Sequence, residues 1–168
     1  MTSVAPPQEL GTDVAERYRH ALRNVAAAVA VVTAFDVDGA PHGTTVSAFT
    51  PLSMEPALLL VSLDNTSRLL TLVAPGTRLG VNVLAASQAD VGRRFADRAA
   101  DRWLGLAWRT EAGAPALRER HAFIGVETEQ LIPAGDHTVV IGAVREADWA
   151  PGEPLLYWQR AFGSFHPG

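Results

Sequence analysis

Short runs of β-branched and apolar residues, cut at close intervals by turn-forming residues, constrain this chain more than any other feature. Residues 26–34 carry Val29, Val31, Val32 and Thr33 and read as a buried strand. Asp36-Val37-Asp38-Gly39 follows as a tight turn, and 42–49, rich in Thr, Val and Ser, reads as the return strand of a hairpin. Met54-Glu55-Pro56 breaks the chain before a continuous apolar strand over 57–63. Further strands are expected at 78–84, 123–131 and 139–149, the last two separated by Pro133-Ala134-Gly135-Asp136, with 155–159 as a last strand or edge segment.

Helical signals are few. Asp13 is a plausible N-cap with Glu16 three residues on, opening a helix over 15–24 that places Tyr18, Ala21, Leu22 and Val25 on one face. A short helix over 68–74 ends at Pro75-Gly76, and Ser87 or Asp90 caps another that reaches Arg98. The stretch 99–116 reads as irregular. Roughly six or seven strands with two or three helices predict a mainly β fold, an antiparallel barrel rather than a doubly wound parallel sheet. The lack of a strand–GxGxxG–helix unit agrees, so a bound nucleotide would not be held in the Rossmann manner. Residues 1–12, with Pro6-Pro7 and Gly11, read as a disordered lead, and 13–168 as a single domain.

Composition removes whole classes of function. With 48% apolar residues in 168, the chain can build its core without staples. It contains no cysteine, which excludes disulfides, thiolate metal sites, iron–sulfur clusters and a cysteine nucleophile. A formal net charge of −4 gives no electrostatic case for nucleic acid or an anionic membrane. The first ten residues carry no Lys or Arg and lack an apolar run, so no signal peptide is expected. The longest apolar stretch, 25–35, falls short of the roughly 20 residues of a membrane helix, and a cytoplasmic protein is expected.

Four polar constellations could carry chemistry, and each also has an ordinary structural reading. Gly43-Thr44-Thr45-Val46-Ser47-Ala48-Phe49-Thr50 would let a flat ligand approach the backbone, or it is a Thr-rich strand with a solvated face. Asn65-Thr66-Ser67-Arg68 would cradle a phosphate at a helix N-terminus, or it is a capped helix with a surface arginine. Asn82-Val83-Leu84 with Gln88 offers amides to a ring edge, while Arg93-Arg94 can answer a helix dipole. His137, in Gly135-Asp136-His137-Thr138, can lie over a ligand or be merely exposed. His20, His42, His121 and His166 show no metal-ligand spacing with it, and no Gly-x-Ser-x-Gly elbow is present.

The order of these segments resembles the flavin reductase domain family, the small reductases of two-component flavin monooxygenases. The resemblance runs from Tyr18 to about Phe162 through 29–34, 38–49, Leu52-Ser53-Met54-Glu55-Pro56, 61–68, 81–84 with Gln88, Arg94-Phe95, Asp101-Arg102-Trp103, 113–117, 134–138 and Pro154-Leu155-Leu156-Tyr157. It implies an FMN-binding split β-barrel, antiparallel and Greek-key-like, that binds FMN or FAD, takes NADH or NADPH as reductant, and works as a homodimer. It implies that Thr45, Val46, Ser47 and Ala48 line the flavin, that Ser67 and Arg68 hold phosphate, and that Asn82, Val83, Leu84 and Gln88 lie close by. Ser53, Phe95 and Tyr157 complete the expected cofactor-binding set, and His137 is similar to the histidine beside the nicotinamide. Reduced flavin would pass to a partner monooxygenase by diffusion. The chain departs from the family where Ala48 replaces a frequent serine, where Gly125-Val126 replaces a Glu-Cys pair, and where a Tyr-x-x-Gly-Arg-Tyr-like ending reads Tyr157-Trp158-Gln159-Arg160-Ala161-Phe162. Two other readings remain open: a flavin protein on this fold with a dedicated substrate, and a non-catalytic barrel module.

Overall fold

Period-two alternation divides the apolar residues of the first long strand between two cores. Ala30, Val32 and Ala34 face one cluster with Leu59, Val61, Leu79, Val81 and Val140. Val29 and Val31 face a second, built with Leu84, Val91, Phe95, Leu117 and Leu155. A strand buried on both sides sits between layers, and the rest of the fold is arranged around it.

The computed structural model describes residues 12–97 and 101–165. Two α-helices, α1 (Thr12–Arg23) and α2 (Ala89–Ala96), accompany the strands. In chain order these are β1 (Ala27–Ala28), β2 (Ala30–Phe35), β3 (Pro41–Val46), β4 (Phe49–Met54), β5 (Ala57–Asp64), β6 (Arg78–Val83), β7 (Trp108–Glu111), β8 (Ala114–Leu117), β9 (Ala122–Ala134), β10 (His137–Trp149), β11 (Leu155–Trp158) and β12 (Ala161–Ser164). Seven strands form one sheet in the order β3-β2-β6-β9-β10-β5-β4, every pair antiparallel. Its non-consecutive neighbours are β2 with β6, β6 with β9 and β5 with β10, and the first and last of these give the Greek-key character. A three-stranded sheet, β1-β11-β12, and the β7–β8 hairpin are the other sheets among the described residues.

The two edges of the large sheet, β3 and β4, are separated in sequence only by Ser47 and Ala48. The Ser62 N–H donates to the Ala48 carbonyl at 2.8 Å, tying this crossing to β5. The sheet therefore curls without closing, and the chain itself bridges the split. Small residues let the second core press against β3. A Cβ on Gly43 would stand 2.8 Å from the Phe95 ring, so the ring of α2 packs directly on the strand's backbone.

The mainly β, antiparallel split-barrel expectation holds, and several boundaries move. The expected strand 26–34 breaks at Val29, whose N–H donates to Leu155 and whose carbonyl accepts from Leu84, so its first residues join the smaller sheet. The return strand expected over 42–49 ends at Val46, and Phe49 begins a separate edge strand. The stretch read as irregular contains β7 and β8, joined through Ala112 and Gly113, both at positive φ. The helix expected over 68–74 is one 3-10 turn at Leu70–Leu72. α2 ends at Ala96, and Arg98 lies outside the described residues, as does the expected N-terminal lead up to residue 11. Among the described residues no helix is long and apolar enough to cross a membrane.

Candidate functional site

Two tight turns meet at one end of the split. Asp64 closes β5 and accepts from both the N–H and the hydroxyl of Thr66 at 2.6 Å, while Ser67 N–H donates to the Asp64 carbonyl at 2.9 Å. This turn sets the direction of Ser67 and Arg68. Asn65 reaches the β9–β10 turn: its N–H donates to Asp136 O at 3.0 Å, its Nδ2 to Gly135 O at 3.1 Å, and its Oδ1 accepts from the Thr138 hydroxyl at 2.8 Å. One asparagine thus fixes the Asp64–Ser67 turn against the turn that carries His137.

His137 opens β10 opposite Asp64 in the sheet register. Its Nδ1 lies 2.7 Å from Asp136 Oδ1. That hydrogen bond, followed by the charge interaction, holds the Asp136 carboxyl below its usual range. An ionised carboxylate only accepts, so Nδ1 carries a proton, and in the uncharged form of the ring Nε2 is the acceptor.

Three grooves converge on Thr45. The smallest, about 220 Å³, is formed by Thr44 to Ala48 on one side and by Ser62, Asp64, Ser67 and His137 on the other. The second, about 510 Å³, adds Arg68, Arg102 and Trp103. The third, about 760 Å³, runs from Thr45, Val46 and Ser47 to Tyr157 and Arg160. β3 is an edge strand, so alternate backbone N–H and C=O groups along it have no ladder partner and face the split. Arg102 braces this edge by donating from Nη1 to the Gly43 carbonyl at 2.6 Å. At the rim of the second groove His42 Nε2 sits 2.7 Å from Asp36 Oδ2, and this bond, with the Ala40 N–H, holds the Asp36 carboxyl low.

The residues present fit a flavin phosphate. A flat ring with donors and acceptors on one edge matches a free strand backbone. A guanidinium with no ion-pair partner among the described residues, Arg68, stands in the adjoining groove for an anion. Among the described residues no group of three His, Asp or Glu could hold a metal ion.

The structure brings together Thr45, Val46, Ser47, Ala48, Ser67, Arg68 and His137, with Tyr157 at the far end of the third groove. It sends the others elsewhere. Asn82 is 0% exposed; its amide donates to Val31 O, Thr33 Oγ1 and Pro115 O and accepts from Leu117 N–H at 2.8 Å, so it ties β6 to β2 and β8 rather than meeting a ring edge. Val83 and Leu84 are core residues. Gln88 is buried, bonding Ala85 N–H and Glu119 O at 2.8 and 2.7 Å, and so shapes the turn into α2. Phe95 has no exposed surface and acts from behind, packed on Gly43 and edge-on to Trp103 at 5.1 Å. Ser53 lies on β4 opposite Leu58, at the remote end of that hairpin and outside the three grooves. Even Thr45 is partly committed, its hydroxyl donating to Gly92 O at 2.8 Å. Asn65 and Arg102 stand in segments the sequence singles out, but nothing there marks them as the braces of the site.

Comparison with known proteins shows the family and the fold. Residues 22–166 match the flavin reductase like domain. The actinorhodin polyketide dimerase of Streptomyces coelicolor is 36% identical over 87% of this chain and 84% of its own length. A flavin reductase (NADPH) of Lentzea aerocolonigenes is 37% identical over 83% of each chain. Among solved structures, the styrene monooxygenase flavin reductase of Pseudomonas putida S12 superposes with a TM-score of 0.83 at 31% identity, covering 90% of this chain and 99% of that one. With a family match over most of its length and a barrel shared with solved reductases, this chain belongs to the flavin reductase like domain family.

Proposed function

We propose that this chain is an NAD(P)H:flavin oxidoreductase that reduces FMN or FAD by hydride transfer and passes the reduced flavin, by diffusion, to a separate monooxygenase. The observation that carries the reading is the pair of adjoining grooves, sharing Thr44, Thr45, Asp64 and Ser67, that bring the edge of β3 beside His137 in one and Arg68 in the other. Flavin supplies the hydride acceptor there and the reduced nicotinamide the donor, so the demanding chemistry belongs to the cofactors. Backbone groups of 45–48 would align a ring along the strand, and Ser67 with Arg68 would hold its phosphate. His137 is a positioning group: its Nε2 acceptor suits the N–H donors of a carboxamide, and Asp136 fixes its tautomer. The open groove favours moderate binding, which release of reduced flavin requires.

A homodimer is part of this reading. α1 leaves Val14, Tyr18 and Leu22, four residues apart, exposed on one face, and Val25 continues the stripe. A second copy would cover it. A cytoplasmic location is the matching expectation.

A second reading has one observation in its favour: a relative at 36% identity carries the name of a polyketide dimerase. In that case the groove would serve a dedicated substrate beside a retained flavin. Mixing the purified chain with NADH or NADPH and a large excess of FMN or FAD separates the two. Sustained nicotinamide oxidation over many turnovers is expected. Flavin that binds but supports no turnover of free flavin would replace the first reading with the second.

A further inference from the structure

Asn65 lines none of the three grooves, although Asp64 before it and Thr66, Ser67 and Arg68 after it all line the second. Its side chain is spent on the turn that carries His137. Nδ2 donates to the Gly135 carbonyl at 3.1 Å, and Oδ1 accepts from the Thr138 hydroxyl at 2.8 Å. The main-chain N–H donates to the Asp136 carbonyl at 3.0 Å. One residue therefore grips the chain on both sides of His137 and leaves the imidazole itself to the groove.

This grip matters because the other restraint on the ring is weak. The Asp136 side chain that meets Nδ1 is 95% exposed, and that of His137 is 42% exposed. A pair so open to water does little to fix either group. The connection from β9 to β10 is only Gly135, at φ 65°, and Asp136, so a small change in its backbone swings both side chains. What holds that backbone decides where the ring points. The neighbouring turn is held in another way. Thr66 bonds the Asp64 carboxylate through its N–H and its hydroxyl, and Ser67 N–H bonds the Asp64 carbonyl. None of these bonds uses the Asn65 amide. Removing that amide loosens the histidine turn and leaves the Ser67-Arg68 turn standing.

We infer, on the oxidoreductase reading of the two ligands, that Asn65 is a positioning residue for the nicotinamide, acting through the 135–138 turn to fix the place and tautomer of His137. It then serves the hydride-donor side of the reaction, while Ser67 and Arg68, two and three positions on, serve the flavin phosphate. A site group is only as well placed as the bonds behind it, and here those bonds come from a residue that touches neither ligand.

Two substitutions cut the contact from opposite sides. Asn65→Ala removes the amide, and Thr138→Val keeps the shape of the threonine without its hydroxyl. Thr138→Ser, which keeps the hydroxyl, is the conservative control. Proton–nitrogen correlation spectra of the His137 ring, assigned by their loss in His137→Ala, need no turnover. The wild type is expected to show the Nδ1–H form when the ring is uncharged, and Thr138→Ser the same. Asn65→Ala and Thr138→Val should show a mixture of tautomers. Fluorescence titration should give wild-type FMN affinity for every variant at 65 and 138. The KM for NADH should rise roughly fivefold in Asn65→Ala, the scale of one neutral hydrogen bond, with kcat changed less. In a His137→Ala background Asn65→Ala should add nothing to that KM, because its effect passes through the missing ring. Wild-type ring signals in folded Asn65→Ala overturn the inference. So do KM effects of Asn65→Ala and His137→Ala that multiply, or weakened FMN binding in Asn65→Ala. Ring signals that respond to Asn65→Ala in a chain that oxidises no NADH would instead remove the oxidoreductase reading and leave Asn65 as the residue that sets His137.

Discussion

Two polar stretches look alike in the sequence and end in opposite places. Thr44 to Val46 sit on the edge strand β3 with Ser47 just past its end, beside the split, and together they line three grooves. Asn82 and Gln88 stand on and just beyond β6, a central strand flanked by β2 and β9, with both amides turned inward. A polar group on a central strand must satisfy itself within the protein, and it does so by bonding backbone that the sheet leaves unpaired. A polar group on an edge or a turn keeps capacity for something else. On this reading the candidate site belongs to edges and turns, and the polar residues of the middle hold them in place.

The comparison breaks most visibly at Asn82. Replacing it with Ala strands the Leu117 N–H and several carbonyl contacts in the core, a cost of about 3 kcal/mol, read from urea unfolding. Flavin affinity per folded molecule should not change. Gly43→Ala is next. It belongs to the groove-facing run, yet its Cβ would collide with Phe95, so we expect a loss of about 2 kcal/mol of stability from overpacking. Arg68→Ala should do the reverse, leaving stability unchanged while weakening FMN by roughly tenfold and riboflavin hardly at all.

His137→Ala is expected to raise the KM for NAD(P)H severalfold with little change in that for flavin; an unchanged nicotinamide KM would remove its positioning role. The smallest effect concerns acid. The Asp36 carboxyl is held below its unfolded value by His42 and the Ala40 N–H, so its contribution to stability is present above the ordinary carboxylate range and is lost as pH falls through the folded value. The stability gap between the wild type and Asp36→Asn should accordingly narrow in acid unfolding titrations; a gap that widens towards low pH would have the wrong sign.

The sequence made the layered β architecture legible because period-two alternation and the Asp36–Gly39 turn are local signals. It hid the Ser47–Ala48 crossing, where no Gly or Pro marks the end of β3 and only the Ser62–Ala48 bond shows that a new edge begins. It hid the β7–β8 hairpin, whose turn, Ala112-Gly113, lies in a Trp- and Pro-containing stretch without clean alternation. At the candidate site, the placement of Ser67, Arg68 and His137 beside the grooves was legible through their turns. Asn82 was not, because a buried amide and a ligand-facing amide are the same letter. Asn65 and Arg102 act through long-range bonds to Gly135 and Gly43 that no local pattern encodes.

The contrast between edge and interior is tested most directly by titrating FMN against the wild type, Arg68→Ala and Asn82→Ala, with the folded fraction of each measured alongside. The account predicts roughly tenfold weaker FMN binding for Arg68→Ala alone, and wild-type affinity for folded Asn82→Ala. Lost flavin binding in folded Asn82→Ala, with Arg68→Ala binding normally, would contradict it and return the site to the middle of the sheet.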